Sequence, residues 1–130
     1  MNYSGQGQSA PVSLPTLGSL LLAAKKIGET HQRAPLTILL GSGINLSTIT
    51  TVLVTLLPLG LQEIHLSGGR WEEGDMLYRR EGMGMGVGGQ GEWGIWRTDG
   101  QIISEVRQIV DTTVGEAYHK GAQSLIVDTE

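Results

Sequence analysis

An α/β fold with parallel strands is predicted by three features of this chain. Two short apolar runs, Leu36 to Leu40 and Gln62 to Leu66, each end in a loop of small residues, Gly41-Ser42-Gly43 and Ser67-Gly68-Gly69. A helix-sized stretch from about Leu46 to Leu57 separates them, and strands joined by a crossover of that size run parallel and are buried on both faces. The first run turns through glycine into a helix with Asn45 at its cap position. Such a turn presents backbone N–H groups and the positive end of a helix dipole at one rim of the sheet, where a ligand is expected.

The elements follow in order. Residues 1–13 are small, polar and aperiodic and read as loop. Leu14-Pro15-Thr16 opens a helix, because proline is tolerated in the first turn. Leu17, Leu20, Leu21, Ala24 and Ile27 follow at helical spacing, and Lys25, Lys26 and Gly28 suit the C-terminal end. Thr30 to Pro35 connects this helix to the first strand. Leu46, Ile49, Leu53, Leu56 and Leu57 make a second apolar stripe. The β-branched residues Thr48, Thr50, Thr51, Val52, Val54 and Thr55 weaken its helix propensity, so burial has to hold it. Pro58 and Gly60 end it.

Gly68 to Thr98 shows no steady period apart from an extended piece at Met76 to Arg79, and the glycines between Gly82 and Gly89 permit a tight backbone path. A loop of that length inside a compact domain is either functional or disordered. Asp99 then caps a last helix with Ile102, Ile103, Val106, Ile109, Val110 and Val114 on one face. The apolar piece Ser124 to Val127 has no evident place.

At 130 residues and 39% hydrophobic content the chain has the size and apolar share of one domain with a core. A net charge of −4 with scattered basic residues excludes a nucleic-acid surface. The absence of cysteine excludes disulfides, thiolate metal sites and a cysteine nucleophile, and fits a reducing, cytoplasmic compartment. The first eight residues lack the basic start and apolar run of a signal peptide. The most apolar segment, Ile44 to Leu61, is interrupted by Asn45, threonines, Pro58 and Gly60, so no membrane span is expected and the chain reads as soluble.

Two parallel strands cannot bury both faces and both edges by themselves. Their pattern is that of the closing units of a (β/α)₈ barrel, whose loops after the seventh and eighth strands often bind phosphate. A whole barrel takes about 250 residues. The expected fold is therefore a partial TIM-type barrel made of closing strand–helix units only, with residues 1–130 as a single incomplete domain.

Ser4-Gly5, Gly41-Ser42-Gly43-Ile44-Asn45, Glu63-Ile64-His65 with Ser67, Met76-Leu77-Tyr78-Arg79, Glu92-Trp93 and Asp99 occur in an order and spacing that resembles the C-terminal part of CutC-type copper homeostasis proteins. The resemblance covers most of positions 4 to 114. It implies a TIM-type barrel connected with copper tolerance, in which Leu36 to Leu40 and Gln62 to Leu66 are the last two strands and Ser4-Gly5 follows the strand before them. The chain departs from the family at Leu40-Gly41-Ser42-Gly43, where a Pro-Gly-Gly-Gly-type turn is common, and Arg70-Trp71-Glu72-Glu73 has no close counterpart. It also lacks the cysteines proposed as copper ligands in some relatives.

Four groups of candidate residues follow. Gly41, Ser42, Gly43, Asn45, Ser67, Gly68 and Gly69 offer hydroxyls and backbone N–H groups to a phosphate or carboxylate, with the Arg79 guanidinium as reinforcement; the same glycines also suit tight turns with no ligand. His65 suits a metal ligand, an acid–base group at a barrel mouth, or a hydrogen-bonded histidine on a strand face. Met76, Met83 and Met85 are soft thioethers suited to Cu(I), or to packing beneath a loop. Trp71, Tyr78, Trp93 and Trp96 suit a ligand pocket or a cover for the open end of the core. Glu63, Glu72, Glu73 and Asp75 have no spacing that fixes a catalytic geometry.

The resulting expectation is a CutC-like copper homeostasis protein in truncated form, binding or handling copper and not acting as an enzyme. A phosphate-ligand-binding TIM-barrel enzyme using the loops at 41–43 and 67–69 is the alternative, and a non-functional barrel fragment is a second one. Partners are then a copper ion or a small anion, with self-association through open strand edges.

Overall fold

The computed structural model describes the backbone of residues 2–3 and 5–127 and the side chains of residues 5–121. The chain divides into two compact units, one containing residues up to Leu66 and from Glu105 onward, the other Ser67–Ser104. Ser4 lies outside the described residues.

The first unit is α/β. Strand β1 (Asn2–Tyr3) leads through a 3₁₀ turn at Ala10–Val12 to helix α1 (Leu14–Thr30). Strand β2 (Leu39–Leu40), helix α2 (Ile49–Leu56), a second 3₁₀ turn at Leu57–Leu59 and strand β3 (Glu63–Ile64) follow. The three strands are parallel and lie side by side in chain order, with Asn2 opposite Leu39, Leu39 opposite Glu63 and Leu40 opposite Ile64. Two strand–helix–strand units therefore repeat, and the described strands form an open sheet.

The core of this unit explains why α2 holds despite its β-branched residues. Ile49, Val52, Leu53 and Leu56 are fully or almost fully buried; α2 packs on α1, whose Leu17, Leu21 and Ala24 are buried with Leu40 of β2. Burying four such side chains contributes about 1.5–3 kcal/mol each, which outweighs the few tenths of a kcal/mol that each β-branched residue costs a helix.

Several readings of the sequence need correction here. The strands expected over Leu36 to Leu40 and Gln62 to Leu66 are two residues each, because a strand extends only where a neighbour pairs with it, and Leu36 is 71% exposed. On one side of the first of them lies β1, paired in parallel. Helix α2 begins at Ile49, with a turn at 46–48 before it. Gly60 ends the turn that follows, in a left-handed conformation at φ 99°.

The second unit overturns the expectation of a long irregular segment. Strands β4 (Gly69–Glu73) and β5 (Gly94–Thr98) form an antiparallel hairpin, with Trp71 opposite Trp96 and Arg70 opposite Arg97. Met76 to Arg79, expected to be extended, forms no strand. One face of the hairpin is charged: Glu72 pairs with Arg70 and Arg97, and Arg70 also reaches Asp99 at 3.2 Å. The other face is aromatic, with the Trp71 and Trp96 rings edge to face at 5.6 Å. The Trp96 indole lies over Gly69, where a Cβ would stand 2.7 Å from its Nε1. Of residues 67–104, only Gly68 and Gly74 are buried.

Asp99 caps helix α3 (Gly100–Val127) as expected, its Oδ1 accepting the Gln101 N–H at 2.8 Å. The helix takes in the stretch Ser124 to Val127 that the sequence left unplaced. Val106 is buried, whereas Ile103 of the expected stripe is exposed. Arg107 pairs with Asp111 one turn on, and that hydrogen bond, then the charge of the carboxylate, raises the guanidinium further above its usual pKa. No helix among the described residues is long and apolar enough to cross a membrane.

Candidate functional site

Because β1, β2 and β3 are parallel, the loops that follow them gather at one rim. The loop after β2 carries Gly41, Ser42, Gly43 and Asn45. Ser42 and Gly43 both adopt left-handed backbone, at φ 75° and 72°. The loop is braced by the segment after β1: the Ala10 N–H donates to the Ser42 carbonyl at 2.9 Å, and the Ser42 hydroxyl reaches the Gln8 carbonyl at 3.4 Å. A Cβ on Gly43 would stand 2.7 Å from Ser9 Cβ. Gly5, at φ 79°, is held in the same way, its Cβ position lying 2.5 Å from Ser13 Cβ. Gly43 is thus required by packing between the two loops, and Gly5 by packing of the segment after β1 against the start of α1.

The helix entry has its own partners. The Asn45 side-chain carbonyl accepts the Ser47 N–H at 3.0 Å, and the Asn45 N–H donates back to the Thr48 hydroxyl at 3.0 Å. This is a reciprocal capping arrangement. The Thr48 hydroxyl also donates to the Gly43 carbonyl at 2.8 Å, and the Thr48 and Ile49 N–H groups donate to the Asn45 carbonyl. Of the N–H groups that the sequence offered to an anion in this loop, that of Asn45 is taken up inside the turn, as are those of Ser47, Thr48 and Ile49 at the helix entry. The Asn45-x-x-Thr48 spacing is the signal that could have disclosed Thr48 in advance. Ser9 and Ser13, which brace the neighbouring loop through a 3.1 Å bond from the Ser13 hydroxyl to the Ser9 carbonyl, carry no comparable signal.

Ser67, Gly68 and Gly69 belong to the second unit and lead into a hairpin, not a helix. The Ser67 carbonyl accepts the Thr98 hydroxyl at 3.0 Å and the Gly68 carbonyl accepts the Asp99 N–H at 2.9 Å, so the loop closes the base of the hairpin. Arg79 lies in the same unit. It pairs with Glu73 at 2.5 Å, and donates from Nε to the Met76 carbonyl at 2.8 Å and from Nη2 to the Gly74 carbonyl at 2.7 Å. Its guanidinium clasps the loop from 74 to 79.

His65 lies in the first unit, one residue past β3, where its N–H continues the ladder to the Leu40 carbonyl at 2.7 Å and its side chain is exposed. Met76, Met83 and Met85 lie in the second unit and are exposed. Among the described residues no group of three or more histidines and carboxylates is placed to hold a metal ion. Trp71 and Trp96 form the hairpin pair, and Tyr78 is exposed.

Repeated strand, glycine loop and helix with parallel strands define the first unit as an α/β protein of the βαβ class. No family model matches the chain. It is 32% identical over 114 residues to a CutC family protein of Edwardsiella ictaluri (strain 93-146), covering 86% of this chain and 40% of that protein. It is 29% identical over 108 residues to a CutC family protein of Citrobacter koseri, covering 82% of this chain and 38% of that one. Over this stretch the chain is similar to CutC family proteins, and it spans about two fifths of the length of the curated relatives it matches.

Proposed function

We propose that this chain supplies the closing strand–helix units of a CutC-like (β/α)₈ barrel and serves copper homeostasis, by binding and not by catalysis. The likeness over 86% of the chain carries the reading. The side-by-side order of β1, β2 and β3 accords with it, because successive barrel strands are neighbours. Copper is the cargo here. Cu(I) is a soft cation that takes thioether and imidazole donors. In a chain without cysteine the candidate donors are the sulfurs of Met76, Met83 and Met85 and the ring of His65. Met83 and Met85 are two residues apart and exposed. Thioethers alone hold Cu(I) loosely compared with thiolates.

Competition for Cu(I) against a chromophoric chelator tests the reading. The expected result is weak withdrawal of copper that is lost when Met83 and Met85 are replaced by leucine and His65 by alanine. A tight stoichiometric complex that survives all three replacements, or no withdrawal by the unaltered chain at any concentration, would overturn the assignment of copper to these residues.

A further inference from the structure

The run Gly82-Met83-Gly84-Met85-Gly86-Val87 alternates glycine with apolar side chains, and the structure gives that alternation a direction. The Gly84 N–H donates to Glu92 Oε1 at 2.9 Å, the Gly86 N–H to the Glu92 carbonyl at 2.7 Å and the Val87 N–H to the Gly91 carbonyl at 3.0 Å. A Cβ on Gly84 would collide with the Glu92 carbonyl, and one on Gly86 with that of Gly91. The glycines therefore face the chain at 91–92, and the period of two turns the residues between them outward. Met83 is 63% exposed and Met85 95%.

We infer that Met83 and Met85 form a site of reversible oxidation by peroxide, with Met85 the first to react. A thioether lone pair attacks one oxygen of a hydroperoxide; the S–O bond forms as the O–O bond breaks, and the leaving oxygen takes up a proton as water or alcohol. Sulfur is oxidised to the sulfoxide and the peroxide is reduced. Oxidation rates follow access to the sulfur, and here access requires no opening of the fold. Methionine sulfoxide disrupts a protein when the side chain is part of a core. These two are not: the loop is held through glycine backbone and Glu92, so both sulfoxides are accommodated with the loop intact and remain open to a sulfoxide reductase.

The full chain is treated with hydrogen peroxide in the presence of a metal chelator, so that the outcome does not depend on any copper chemistry. Peptide mass mapping follows the addition of one oxygen at each methionine, folded and in denaturant. Met85 is expected to oxidise in the folded chain within about twofold of its denatured rate, ahead of Met83 and Met76. The thermal transition should be unchanged afterwards, and methionine sulfoxide reductases should return both residues. The Met83→Leu/Met85→Leu chain should lose the two fastest additions and retain the same transition. Protection of Met85 by more than about tenfold in the folded chain, or loss of the cooperative transition on oxidation, would overturn the inference.

Discussion

The two units of this chain are held together by different forces. In the first, Leu17, Leu40, Ile49, Val52, Leu53 and Leu56 are out of contact with water, and the parallel strands are short because helices supply most of the burial. In the second, no large apolar side chain is buried. The hairpin rests on ladder hydrogen bonds, the Arg70, Glu72, Arg97 and Asp99 network, one tryptophan pair and the grip of Arg79. The contrast teaches that a regular element can form without a core of its own when a matched tryptophan pair holds one face and Glu72, set between Arg70 and Arg97, offsets the like charges on the other.

The largest test of that contrast is a core deletion. Leu53→Ala should destabilise the first unit by about 2–5 kcal/mol, read from urea unfolding. Trp96→Ala, which removes a half-exposed ring, should cost less. The contrast breaks if the tryptophan replacement proves the more damaging.

Loop packing comes next and sharpens the picture of the first unit. Gly5→Ala and Gly43→Ala each meet a left-handed backbone and a close serine, and should lose about 1–3 kcal/mol. Gly60→Ala shares the left-handed backbone at φ 99° but has open space around its Cβ position, so it should cost only about 1 kcal/mol. Equal losses at Gly43 and Gly60 would show that contact with Ser9 does not hold the rim loop.

The smallest effect belongs to the hairpin's charges. Arg97→Gln removes an exposed ion pair to Glu72 and should cost no more than about 1 kcal/mol. The loss should shrink further in high salt. A larger, salt-independent loss would mean that the network is shielded from solvent and that the second unit has a core after all.

What could be read from the sequence follows the same division. The stripes of α1 and α2 were legible because burial imposes a helical period on Leu17, Leu21, Ile49, Leu53 and Leu56; Asn45, expected to cap α2, instead organises the turn before it, and Thr48 stands at the cap position. Strand β1 was not: two residues among small polar neighbours carry no period. The hairpin escaped notice because its strands, Gly-Arg-Trp-Glu-Glu and Gly-Ile-Trp-Arg-Thr, alternate charge with aromatic and glycine, where alternation of apolar with polar is the usual sign. Of the candidate site, the rim glycines and the exposed methionines could be named in advance. That Arg79 and the entry to α2 are occupied by partners from their own loops depends on distances no sequence spacing states.

The placement of the three tryptophans has an optical consequence. Trp71, Trp93 and Trp96 all lie in the second unit and the first has none, whereas α1, α2 and most of α3 belong to the first. Indole emission therefore reports on the second unit, and the helical far-ultraviolet dichroism reports mainly on the α/β unit. A single sample heated once while both signals are recorded would follow each unit by its own signal, without any label or replacement.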